Sequence, residues 1–154
     1  MKKPTPLPDF KKLLTQEMPQ VEVARHFDSV KAWVQNAGYD VGSVRMPPIR
    51  VFTGLSRKDM IFYVTAGRDF LMTKGFDMDR GQMEEHGHVR PPDAIPAFIL
   101  GGPDGFTIFV SKGFGRRAIQ HEMFHIFEAY LKLAPDALER KNLEMWRRDG
   151  VYFD

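Results

Sequence analysis

The chain has no cysteine among its 154 residues. That excludes disulfides, thiol catalysis and any metal site built on thiolate, leaving imidazole and carboxylate as the metal ligands on offer. No stretch reaches the 18 or more apolar residues of a membrane span. The start, Met1-Lys2-Lys3-Pro4-Thr5-Pro6-Leu7-Pro8, carries positive charge with no apolar region behind it, unlike a secretory signal. A cytoplasmic protein that does not associate with membranes is therefore expected. An excess of charge of one sign is also lacking. Lys and Arg number 22 against 20 Asp and Glu, a net +2, which is too small a bias to point to nucleic-acid binding.

What is present is an ordinary globular composition, 43% hydrophobic and 27% charged. The length suits one domain with a genuine core. Residues 1–8 read as a Pro-rich, flexible lead-in and residues 9–154 as a single domain. Asp9 is placed to cap a short helix from Phe10 to Glu17. Apolar residues at Val23, Phe27, Val30 and Val34 predict an amphipathic helix over Val21 to Asn36, stopped by Gly38.

β-branched and aromatic runs at Ile49 to Thr53 and Met60 to Thr65 predict two strands. The glycine-punctuated segment from Gly67 to Pro92 reads as a long surface excursion. Ala97 to Leu100 and Phe106 to Ser111 predict strands either side of a Gly/Pro turn. The last third predicts a helix over Arg116 to Leu133, a break at Ala134-Pro135-Asp136, and a second helix to about Arg148.

The first of these two helices contains His121-Glu122-Met123-Phe124-His125, an H-E-x-x-H pattern. Four steps of about 100° return both imidazoles to nearly the same face, about 6 Å apart along the axis, which suits a shared zinc ion. Glu122 lies to the side, where a carboxylate can take a proton from a metal-bound water. Ile119, Met123, Phe127, Tyr130 and Leu131 supply the buried side of the helix.

A third protein ligand is expected at a catalytic zinc. After His125, 18 residues intervene before Glu144 on the following helix. Over about residues 119–148 the chain resembles the gluzincins, zinc peptidases in which H-E-x-x-H is followed by a glutamate on the next helix. The spacing matches the aminopeptidase-N type. The resemblance implies His121, His125 and Glu144 as zinc ligands, Glu122 as general base, and a peptide or protein substrate.

Glu139 competes with Glu144, but the two are five residues apart, about 140° round a helix, so both cannot face one ion. Glu128 shares the histidine face one turn further on, better placed for a hydrogen bond behind the metal than for ligation. His86 and His88 read as surface residues of a loop. Tyr130, Arg147, Arg148 and Tyr152 are candidates for polarising a substrate carbonyl.

The resemblance also implies an α+β, zincin-like fold: a small mixed sheet packed on the motif helix, followed by the glutamate helix. In zincins an edge strand above the motif helix pairs with extended substrate. Gly105 to Ser111 and Ala97 to Leu100 are the two candidates for it. The chain is too short for the full thermolysin or aminopeptidase architecture, and it lacks a Gly-x-Met-Glu-Asn amine anchor. A minimal zinc metalloendopeptidase is the resulting expectation. A regulatory protease like the ImmA/IrrE group, with one dedicated protein target, and a non-catalytic zincin-like binding domain are the alternatives.

Overall fold

The computed structural model describes residues 10–73, 95–102 and 105–150, and among these residues four α-helices and a three-stranded sheet form the fold. A 3-10 helix, Lys11–Gln16, comes first. Helix α1, Gln20–Asn36, starts after Pro19 and buries Val23, Phe27, Val30 and Val34, as the periodicity predicts. Gly38, at φ +103°, closes it: its N–H donates to Gln35 O, and the Tyr39 N–H reaches Val34 O. The expected lead-in and the Asp9 cap lie outside the described residues.

Strand β1, Ile49–Leu55, is followed at once by helix α2, Arg57–Thr73. The second expected strand, Met60 to Thr65, is therefore helical. The physical reason lies in which side chains are buried. Met60, Tyr63 and Val64 are inside while Ile61 and Phe62 are exposed, a spacing of three and four rather than two. Ser56 also accepts a hydrogen bond from Asp59 N at 3.2 Å, so Ser56-Arg57-Lys58-Asp59 caps the helix start. The excursion expected from Gly67 begins inside this helix, and its stretch over residues 74–92 lies outside the described residues.

Strands β2, Ala97–Gly102, and β3, Gly105–Ser111, form an antiparallel pair, and β1 runs parallel to β3 on its other side, giving the order β1-β3-β2. Gly105 sits at φ +128°, and a Cβ there would stand 2.3 Å from Pro48 O. Only glycine allows the close approach at which Phe106 N bonds Pro48 O and starts the parallel register. β3 is thus central, so of the two edge-strand candidates it is Ala97 to Leu100, within β2, that lies at an edge among the described residues.

Helices cover both faces of the sheet. Ile108 and Val110 of β3 face a core with Val23, Phe27, Met123, Phe127 and Leu138, while Phe109 points the other way, among Leu13, Phe52, Met60, Tyr63 and Phe98. Phe109 stacks against Phe52 and Tyr63 there. The apolar residues on both faces of β3 follow from this double cover. Helix α3, Arg116–Leu131, carries the H-E-x-x-H residues on the first side, and α4, Ala137–Asp149, follows it. The protein is a small mixed α+β fold. No helix among the described residues is long and apolar enough to cross a membrane.

Candidate metal centre

Helix α3 is anchored through Ile119, Met123, Phe124, Ile126 and Phe127, all buried, with Phe127 stacked on Phe27 and Phe124 tilted against Trp33. This packing fixes the rotation of the helix, and with it the direction of His121 and His125. The helix ends at Lys132, in the left-handed region at φ +56°. Lys132 N donates to Ala129 O and Leu133 N to Glu128 O, a Schellman closure made without glycine. Four residues later Asp136, also left-handed at φ +64°, opens α4. Aspartate tolerates this conformation better than most residues.

The two turns fold α4 back so that Asp136 faces the histidines. Asp136 Oδ1 lies 3.5 Å from His121 Nε2 and 3.5 Å from His125 Nε2. The two rings stand nearly perpendicular with centroids 5.3 Å apart. One ligand atom from each of the three residues falls within 4.8 Å of the other two. Tetrahedral zinc with bonds of about 2.0–2.1 Å would hold its ligand atoms about 3.3–3.4 Å apart. Two imidazole nitrogens and one carboxylate oxygen at these separations form a group that could hold a metal ion.

The remaining imidazole nitrogens face carboxylates. His125 Nδ1 donates to Glu128 Oε1 at 2.7 Å, and His121 Nδ1 lies 3.7 Å from Glu139 Oε2. With a proton on Nδ1, the lone pair of each neutral ring is left on Nε2, the atom that faces Asp136. Glu139 is itself 3.9 Å from the Arg117 guanidinium. Glu122 is buried beside the two histidines.

Burial by itself would lower the pKa of His125. The Glu128 hydrogen bond and the charges of Glu122, Glu128 and Asp136 outweigh it and raise the value to about 9. His121 behaves alike: burial opposes its charged form, but Glu139, Glu122 and Asp136 prevail, and its pKa lies above the ordinary value. Burial is the main reason that the Glu122 pKa is raised, partly offset by the two histidines. Without a metal, the cluster draws protons to balance its negative charge. A divalent cation would take over that role.

Of the residues expected from the sequence, His121, Glu122 and His125 come together, and Glu128 holds the position behind His125 anticipated for it. Glu144 is not in the cluster. It lies on α4 five residues beyond Glu139, about 140° round the helix and about 7.5 Å along it. There it lines a depression with Arg140, Leu143, Arg147 and Arg148. Tyr130 is exposed, with its hydroxyl 3.4 Å from Ser43 Oγ, and Arg148 pairs with Asp149. His86, His88 and Tyr152 lie outside the described residues. Asp136 is the residue that sequence reasoning placed only as a helix start. The Ala134-Pro135-Asp136 break was its one local signal. The chain matches no protein-family model, no curated protein and no solved structure.

Proposed function

We propose that the protein is a zinc-dependent hydrolase, a small metalloendopeptidase with a zincin-like arrangement of sheet, motif helix and ligand-bearing turn. The observation that carries this reading is the convergence of His121 Nε2, His125 Nε2 and Asp136 Oδ1 beside a buried glutamate that is not one of the three. A structural metal site has no use for a fourth residue, a non-ligating carboxylate, at that position. A hydrolytic site needs one.

His121, His125 and Asp136 would hold the metal. When bound, zinc supplies a Lewis acid and lowers the pKa of a coordinated water. Glu122 would take a proton from the attacking water and hand it to the leaving amine. Burial raises its pKa, the direction that makes it a stronger base. Strand β2 packs against α3 and forms an edge of the sheet among the described residues, where an extended peptide can add as a further strand. That supports a peptide or protein substrate over a small molecule.

The test is elemental analysis of the purified protein with peptide hydrolysis assayed on wild type and Glu122→Gln. About one zinc per chain in both, with turnover in wild type alone, is the expected result. A folded wild type that takes up no zinc on reconstitution, or a Glu122→Gln variant as active as wild type, would overturn the reading.

A further inference from the structure

Glu128 is buried, yet its carboxylate accepts three hydrogen bonds from three different parts of the site. His125 Nδ1 donates to Oε1 at 2.7 Å, Asp136 N donates to Oε1 at 3.1 Å, and Leu138 N donates to Oε2 at 2.9 Å. The first donor is the ring of one expected ligand. The second is the backbone of another, held in the left-handed region. The third belongs to the first turn of α4, where backbone N–H groups lack helical partners and favour a negative charge.

From this we infer that Glu128 is the positioning residue of the metal centre. A single buried carboxylate selects the His125 tautomer that leaves Nε2 for the metal, and the same carboxylate fixes the turn that presents Asp136. This rests on the metal site proposed above and names a further residue that makes it work. Two ligands eleven residues apart in sequence, on either side of a reversal of the chain, are held to one another through Glu128. Glu128 itself is not one of the three groups that would hold the metal.

Glu128 acts on affinity and ligand geometry, whereas a residue that merely caps a helix would act on stability alone. Cobalt(II) is a suitable probe, because its visible spectrum reports ligand number and geometry. Glu128→Gln keeps the size of the side chain but turns one of the two acceptor oxygens into a donor. Val64→Ala, which removes a fully buried side chain of α2 on the opposite face of the sheet, lowers stability and leaves the carboxylate and its donors in place.

Glu128→Gln is expected to bind cobalt about 10–100-fold more weakly than wild type, with an altered spectrum, as for other partners that orient a ligand from behind. Val64→Ala is expected to lower the melting temperature while keeping the wild-type spectrum and an affinity within about threefold. Equal cobalt affinity and spectrum in Glu128→Gln and wild type would overturn the inference, as would equal losses of affinity in the two variants.

Nitrogen-15 NMR of the histidine rings in zinc-loaded wild type tests the same point without a variant. A proton on His125 Nδ1 with Nε2 bound to metal supports the role, and the reverse tautomer ends it. A wild type that binds neither metal removes the metal-site reading along with this one. Metal bound normally by wild type and by Glu128→Gln removes only the role of Glu128.

Discussion

Asp136 stands with Oδ1 3.5 Å from His125 Nε2, although ten residues and a reversal of the chain separate the two. The contact depends on two left-handed residues, Lys132 and Asp136, that turn α3 into α4. It selects Asp136 over the glutamates of α4 as the carboxylate nearest both Nε2 atoms.

Replacing Asp136 and Glu144 separately should therefore have opposite outcomes. Asp136→Ala removes one of three convergent ligand atoms, and zinc affinity should fall by more than the roughly 10–100-fold typical of a partner behind the ligands. Glu144→Ala should leave zinc affinity within about threefold of wild type. Competitive titration with a chromophoric chelator measures both, and tight zinc binding in Asp136→Ala with loss in Glu144→Ala would reverse the assignment.

The metal-free protein should lose stability as pH rises above neutrality. His125 binds its proton more tightly in the folded state than in the unfolded chain, its pKa being raised from 6.5 to about 9. Its contribution is fully present below pH 6.5 and is lost as pH rises through about 9. The raised pKa of His121 acts in the same direction. Melting temperatures with a chelator should fall between pH 6.5 and 9, while an excess of zinc should flatten that fall. A chelated protein whose melting temperature rises over this range would contradict the proposed charge balance of the cluster.

Zinc affinity should show the complementary trend. Binding requires Nε2 of both histidines to be free of protons, so the apparent dissociation constant should tighten steadily from pH 6 to 8. Proton release measured by calorimetry in buffers of different ionisation enthalpy gives the count directly. Affinity independent of pH would exclude the raised imidazoles as ligands.

Gly105→Ala should be among the most disruptive single substitutions outside the site. The added Cβ would meet Pro48 O at 2.3 Å, and alanine also disfavours φ +128°. A loss of more than about 1 kcal/mol, the level at which an incompatible backbone outweighs the entropic gain, is expected in chemical denaturation. An unchanged midpoint would mean that the β1–β3 register starts elsewhere.

Local patterns in the chain reveal several of these parts. The helices over Gln20–Asn36 and Arg116–Leu131 are legible because their apolar residues recur at three- and four-residue spacing, and the spacing within His121-Glu122-Met123-Phe124-His125 puts both imidazoles on one face. Ser56-Arg57-Lys58-Asp59 carries an equally local capping signal. There the aromatic and β-branched residues from Ile61 to Thr65 point to a strand, but burial of Met60, Tyr63 and Val64 against the sheet makes the segment a helix.

Spacing alone leaves the third carboxylate open among Glu139, Glu144 and Glu128, because rotation about α4 and the path of the turn before it are not periodic properties. Two left-handed residues, neither of them glycine, set that path. The Glu128 carboxylate then holds it through hydrogen bonds between groups 8 and 10 residues apart. The sequence by itself determined the two histidines, the glutamate between them and the helix that aligns them. Only the tertiary structure brought Asp136 to the two histidines, because a contact made across a chain reversal depends on packing and turn geometry that no local pattern encodes.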